Sequence, residues 1–440
     1  VKGLGLGLRK LAVNTTGTFI RQLIASLLQL VIIVIIARIY GPEGNGNYVV
    51  ALLLPSLLAT FLNLGIAPAN VYFIGSGKIA VITAWRSTVK LYFALSILGL
   101  AIGAAVLWWR AEQWFPGVSP KLLWFSLTIF PISFLLGFVS SIFQGLQQFR
   151  IFNVVLLAQP IITLTIITIL LLFGSSDIVW LLASYLLGLT ITLLISLYFL
   201  QPFLKQTEGC EIEKNYSLTA LNYGYKAHLG NILAFINYKA DIFLVNFFVG
   251  SAGAGVYVIA VLLVERLWMF SQAVGTVLLP RLSELSKDEA KRKLITPLIS
   301  RWIFFLTLLG SVTLAVVARP VIELVFGADY LTALMPLWVL LPGVVAMSVV
   351  RILANDLAAR GRPELNMYIT VPAVIVNLVG NILLIPEYGL VGAAAATSLC
   401  YITIFVLLIY MYWRQTGIIW HQTIFIKKSD VSVLKSLLTK

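Results

Sequence analysis

The sequence predicts an all-α polytopic membrane protein, with twelve transmembrane helices in two sets of six arranged as parallel repeats. Three observations predict it. The 440 residues are 60% hydrophobic and only 11% charged, a balance foreign to soluble globular chains. Apolar runs long enough to cross about 30 Å of hydrocarbon recur along the whole length. A stretch near the start also returns near the middle. Gly41-Pro42-Glu43-Gly44-Asn45-Gly46-Asn47-Tyr48-Val49-Val50-Ala51 aligns without a gap with Gly250-Ser251-Ala252-Gly253-Ala254-Gly255-Val256-Tyr257-Val258-Ile259-Ala260, with six identities at an offset of 209 residues.

Lys2, Arg9 and Lys10 precede the first apolar stretch, residues 14–39. It is too long for a signal peptide and lacks a small-residue cleavage site, so it reads as an uncleaved first helix. Arg21 lies about two turns inside it, with Thr18, Gln22 and Gln29 forming a polar stripe. The Gly-rich turn follows. Span two covers 48–74, with Pro55 and Pro68, and span three covers 87–109. Trp114 and Pro116 mark an interface. Span four is 122–145 with Pro131, span five 153–173 with Pro160, and span six 179–200.

A polar stretch then separates the halves. The boundaries expected are an N-terminal lobe at 1–205, a cytoplasmic linker at 206–220, a C-terminal lobe at 221–413 and a basic cytoplasmic tail at 414–440. Span seven runs over 223–248, and span eight follows the second Gly-rich turn to Pro280. The loop 281–294 holds Lys291-Arg292-Lys293. Span nine is 297–318, and a short interfacial helix is expected within 319–332. Span ten is 333–358 with Pro336 and Pro342, span eleven 367–385 with Pro372, and span twelve 391–413. The prolines in spans two, four, five, ten and eleven predict kinks.

A net charge of +14 would suggest nucleic acid in a soluble protein. Here the charge reports orientation. With the N-terminus inside, 23 Lys and Arg fall on the inner side and 4 on the outer, so both termini are expected in the cytoplasm. The partners this implies are anionic headgroups, with no nucleic acid. Six spans per half give both halves the same orientation, hence parallel repeats. Cys210 and Cys400 offer no disulfide framework, and His228 and His421 have no metal-ligand spacing.

Setting aside basic residues near span ends, which the charge count assigns to the inner or outer side, seven ionisable residues fall inside spans: Arg21, Lys239, Asp241, Glu265, Arg266, Arg351 and Asp356. A charge at mid-bilayer costs about 2.5–3.5 kcal/mol even on the lenient insertion scale. Asp356 stands close enough to a helix end to snorkel, which gives it a bland reading. The other six are either structural ion pairs between helices or the lining of a wet site. Four cations against two carboxylates leave positive charge over. Arginine's fork suits phosphate, so the sharp reading is a diphosphate held by Arg21 and Arg266, with Lys239 and Arg351 in support. Asp241 and Glu265 either pair with a cation or bind a coupling ion, H+ or Na+.

The residues 75–78, Gly-Ser-Gly-Lys, lack the spacing and the hydroxyl of a nucleotide-binding P-loop. Energy is therefore expected from an ion gradient, membrane potential or mass action, with no cofactor. The outer loops are too short for a catalytic domain, and Glu43 and Glu112 are sparse acids for one, so the chain reads as no enzyme.

Several motifs then point to a family: Ala37-Arg38-Ile39-Tyr40-Gly41-Pro42-Glu43, Asp241-Ile242-Phe243-Leu244, Gly255-Val256-Tyr257, Leu279-Pro280-Arg281-Leu282-Ser283, and Asn381 through Pro386 and Gly389 to Gly392. In order and spacing, over nearly the whole chain, they resemble the polysaccharide transporters of the multidrug/oligosaccharidyl-lipid/polysaccharide exporter superfamily, specifically the O-antigen flippase type. The resemblance implies two six-helix lobes, as parallel repeats around a central cavity that is cationic, in the cytoplasmic membrane. It implies that undecaprenyl-diphosphate-linked oligosaccharide is flipped from the inner to the outer leaflet for cell-surface polysaccharide synthesis, beside a glycan polymerase and glycosyltransferases. Lipid II flippases of the superfamily carry functional arginines in helices one and eight, where Arg21 and Arg266 lie here. They also have two further helices for the lipid tail, for which the span count predicts no counterpart. The runner-up is a cation-coupled drug exporter of the same superfamily, which the surplus of buried cations disfavours. A membrane glycosyltransferase comes third, disfavoured by the short outer loops.

Overall fold

The structure, a computed structural model, describes residues 2–174, 177–205, 216–269, 271–272, 274–275, 278, 282, 288–362, 364–427 and 430, with side chains from residue 20 onward except 22. Regular structure among these residues is helical throughout, as it must be where hydrocarbon leaves the backbone no other partner. The helices are α1 (Lys2–Leu62), α2 (Ile66–Gly75), α3 (Val81–Trp114), α4 (Pro120–Leu127), α5 (Ile129–Gly145), α6 (Phe149–Leu172), α7 (Ile178–Lys205), α8 (Tyr216–Val249), α9 (Ser251–Glu265), α10 (Glu289–Val325), α11 (Leu334–Ala359), α12 (Glu364–Thr416) and the short α13 (His421–Ile424).

Among the described residues nine helical stretches are long and apolar enough to cross a membrane, so the protein is an all-α, multi-pass membrane protein. Two are too long to be single spans. α1 has 61 residues and α12 has 53, where about 20 suffice. Each contains one break, at Gly41 (φ 65°, ψ −171°) and at Gly389 (φ 55°, ψ −130°), in backbone regions that a side chain resists. α9 begins the predicted span eight. Much of its continuation lies outside the described residues, as do Cys210, most of the motif at 279–283, part of the loop 281–294 and the end of the tail.

The prolines at which kinks are expected lie within helices, and the breaks in helical backbone fall at other residues. The backbone stays helical through Pro160, Pro342 and Pro372. Pro68 and Pro131 each sit third in a helix, where the missing N–H had no partner to lose. Span two breaks instead at Leu64 (φ 48°) and Gly65 (φ 78°), so α2 completes it. The interfacial helix expected within 319–332 is two features: α10 continues to Val325, and a 3₁₀ helix follows at Ala328–Ala333.

The chain divides into two compact units, Val1–Gly255 and Val256–Lys440. The division falls inside α9, and residues 206–215 of the expected linker lie outside the described set. In the first unit α2 packs on α5 and α8, and α6 packs on α7. Asn70 ties this together: its amide donates to Thr88 Oγ1 (3.1 Å) and its carbonyl accepts from the Tyr216 hydroxyl (2.9 Å). In the second unit α11 is the enclosed element, packed against α10 and α12.

Candidate functional site

The repeated turn is built the same way twice. Gly41 and Gly250 (φ 94°) are both left-handed, and each starts a helix at the next residue. The two turns also meet. A Cβ on Gly46 would collide with the Ser251 carbonyl, and a Cβ on Gly255 would collide with the Pro42 carbonyl. Since 251 is 42 moved by the repeat offset and 255 is 46 moved by it, the contact is reciprocal, as across a local two-fold axis. Asn45 Nδ2 donates to the Gly255 carbonyl across it (2.9 Å). All of these residues belong to the first unit. Towards the other end of the same unit Gly65 and Gly224 approach as closely, and Tyr72 stacks on Tyr223 at 4.5 Å.

The site residues distribute over both units. In the first, Arg21 is half-buried on α1, and Lys239 is exposed on α8. Lys239 lines two neighbouring hollows that share Phe235. Asp241, two residues on, is buried, and its Oδ1 accepts from the Ile242 N–H (2.7 Å). In the second unit Glu265 ends α9 and Arg266 follows it, both half-buried. Arg351 on α11 lies with its guanidinium carbon 4.8 Å from the centre of the buried Trp268 ring. α11 therefore brings Arg351 to the segment that carries Arg266, at Trp268, a residue that the charge reading passed over. A tryptophan two residues beyond an in-span arginine was the available signal.

Asp356 needs a correction. It does not snorkel; it is fully buried, although it lies near its helix end. Its carboxylate accepts from Arg292 Nη2 (3.1 Å), Arg360 Nε (3.0 Å) and the Tyr412 hydroxyl (2.8 Å). Arg360 also pairs with Glu289 (2.8 Å). Arg301, which the topology count treated as a loop charge, is buried too. It grips Asp430 with both arms of its fork (2.6 and 2.7 Å) and donates to the Gln422 carbonyl, fixing the tail to α10. Burial alone would push the Asp430 carboxyl up, but Arg301 and the Lys427 N–H hold it below the usual carboxylate range. Among the described residues no salt bridge involves Arg21, Lys239 or Arg351, and no group of His, Cys, Asp and Glu could hold a metal.

The chain is similar to known proteins in three ways. The family described as lipid II flippase MurJ matches residues 87–439. A probable low-salt glycan biosynthesis flippase of Haloferax volcanii, Agl15, is 28% identical over 235 residues, covering 53% of this chain and 48% of its own, so the chain spans about half the length of that relative. An uncharacterized membrane protein of Methanocaldococcus jannaschii, MJ1375, is 23% identical over 86% of this chain and 92% of its own. Among solved structures, a lipid II flippase MurJ in an inward closed conformation superposes with a TM-score of 0.75 at 17% identity, covering 96% of this chain and 90% of the other. An inward-facing multidrug resistance transporter of the same superfamily superposes at 0.67 with 14% identity, covering 89% and 94%. At these identities the structures speak for the fold. The family match covers most of the sequence, and the chain belongs to the family of the lipid II flippase MurJ, within the multidrug/oligosaccharidyl-lipid/polysaccharide exporter superfamily.

Proposed function

We propose that the protein flips a polyprenyl-diphosphate-linked oligosaccharide, in the finer reading an undecaprenyl-diphosphate carrier of a cell-surface glycan, from the cytoplasmic to the outer leaflet. One observation carries the reading. The charges near the helix ends are matched: Asp356 takes Arg292 and Arg360, and Asp430 takes Arg301. Arg21, Lys239 and Arg351, inside the predicted spans, have no carboxylate at all among the described residues. Uncompensated cations at that depth are expensive unless they meet water or an anionic guest.

A diphosphate entering from the inner leaflet exchanges its water for charge-assisted hydrogen bonds to Arg21 and Arg266, with Lys239 and Arg351 in support. Asp241 and Glu265 are the candidates to weaken that grip, by pairing with a cation or by binding H+ or Na+. The membership in a flippase family and the glycan flippase of Haloferax volcanii support the substrate class. Twelve spans with cytoplasmic termini, and the O-antigen type suggested by the motifs, belong to the same proposal.

The test is translocation of a labelled lipid-linked sugar in proteoliposomes. Arg21→Ala and Arg266→Ala should abolish transport with insertion intact, whereas Arg266→Lys should keep part of it, retaining the charge and losing the fork. Parental rates in both alanine variants would overturn the diphosphate site.

A further inference from the structure

We infer that α8, with the neighbouring faces of α1 and α3, carries a built site for one amphiphile: a single prenyl chain, an anionic phosphate and a sugar, in that order along the helix. The inference rests on the flippase reading and specifies where the carrier lipid lies. Two hollows of unlike chemistry adjoin there. The first, about 290 Å³, is walled by Leu57, Phe61, Ile102, Val106 and Phe243 among others, and Lys239 is its one charged residue. The second, about 440 Å³ and open, presents Thr60, Asn63, Asn231 and Tyr238. Phe235 and Lys239 line both, so the ammonium stands at the border between an apolar slot and a polar recess.

That border position is what an amphiphile's phosphate requires. Lys239 lies within an apolar span, and no carboxylate neutralises it among the described residues. Asp241, the nearest acid in sequence, is buried, with one carboxylate oxygen turned to its own helix at Ile242 N. Two residues along a helix are about 200° apart, so the two side chains leave on different faces. A phosphate at Lys239 supplies the missing negative charge through charge-assisted hydrogen bonds. The slot continues from Lys239 to Trp114 and Phe115, at the end of α3 that the charge count places outside, and offers apolar surface without a polar partner. A slot of this volume admits a segment of one chain rather than the paired chains of a phospholipid. On the other side of the ammonium, Asn63, Asn231 and Thr60 present amides and a hydroxyl suited to sugar hydroxyls.

The test uses the full chain in nanodiscs and a polyprenyl diphosphate carrying a photoreactive diazirine in its chain. Photolysis and peptide mapping should place the label within residues 53–61, 102–115 and 235–243. Lys239→Glu should reduce labelling at least tenfold, and Lys239→Arg should keep most of it. Leu57→Trp, or Ile102→Trp if the first does not fold, should reduce labelling by filling the slot, with melting temperatures showing that each variant is intact. An excess of phosphatidylglycerol should not displace the probe. Displacement by phosphatidylglycerol, labelling elsewhere, or labelling indifferent to Lys239→Glu and the tryptophan would each overturn the site. Labelling at the site in a protein that flips nothing would overturn the transport reading and leave the site standing. Flipping by a protein whose label lies elsewhere, or is indifferent to Lys239→Glu, would overturn the site and leave the transport reading standing.

Discussion

Gly46→Ala is a one-carbon change with a large geometric demand. The new methyl would collide with the Ser251 carbonyl and stand 3.1 Å from Gly255 N, while the reciprocal methyl of Gly255→Ala would stand 2.7 Å from Gly46 N. Real Cβ atoms essentially never come closer than 3.0 Å, and the neighbours here are backbone, which cannot swing aside as a side chain can. The two turns must therefore separate, which also stretches the Asn45–Gly255 hydrogen bond from 2.9 Å. Overpacking of this kind costs about 1–3 kcal/mol. At 1.4 kcal/mol per factor of ten, the population with the turns in contact should fall about 5- to 150-fold relative to any state in which they are apart. The readout is the distance between spin labels on cysteines at Glu43 and Ala252, both exposed, with Cys210 and Cys400 replaced by serine. Gly46→Ala and Gly255→Ala should each move the distribution to longer distances, and the double variant should add little, because both break one contact. An unchanged distance distribution and melting temperature in Gly46→Ala would refute the reasoning.

Asp356→Asn leaves Arg292 and Arg360 against a neutral partner in a buried site, at a cost of about 3–5 kcal/mol, and should lower the melting temperature in detergent far more than Glu289→Gln at the exposed edge of the same cluster. Asp430 has a depressed folded pKa, so its contribution is complete above the unfolded carboxylate value of about 3.9 and is lost as the pH falls through the lower folded value. Hydrogen exchange at residues 418–427 should accordingly be protected to the same degree from pH 8 to 5 after correction for intrinsic rates, and should lose protection only in stronger acid; Asp430→Asn should lose it at every pH. Trp268→Leu removes the aromatic face under Arg351, a contact of about 0.5–2 kcal/mol, and should raise the apparent KM for lipid-linked substrate by about 2- to 30-fold with maximal rate retained.

Hydropathy made the spans legible because an apolar run of bilayer length has few alternatives to a membrane helix. The repeated turn was legible because Gly41 and Gly250 hold a backbone angle that other residues avoid. What the turns do was not legible: their contact consists of missing side chains, and a glycine carries no mark of its partner 209 residues away. The prolines do not mark the breaks in helical backbone. Pro160, Pro342 and Pro372 sit in continuous helix, and the breaks fall where φ turns positive. Depth along a single helix misjudged Asp356, because its arginine on α10 is 64 residues distant and encloses it from another element. Arg301 and Asp430, 129 residues apart, were misread in the same way.

Counting charges inside spans treats every cation and every carboxylate as equivalent, and it gave four cations against Asp241 and Glu265, with Asp356 set aside as bland. The structure removes Asp356 from any exchange with the site, because two arginines outside that count, Arg292 and Arg360, already saturate it. Asp430 is likewise spent on Arg301, and Glu289 on Arg360 and Lys293. These acids are committed near the helix ends, where the pairs fix α10, α11 and the tail to one another. Asp241, Glu265 and Arg266 have interactions of their own, whereas Arg21, Lys239 and Arg351 stand in no salt bridge among the described residues. The proposed diphosphate site therefore rests on Arg21, Lys239 and Arg351, three cations inside predicted spans with no carboxylate in salt-bridge reach among the described residues, rather than on a count of charges along the sequence.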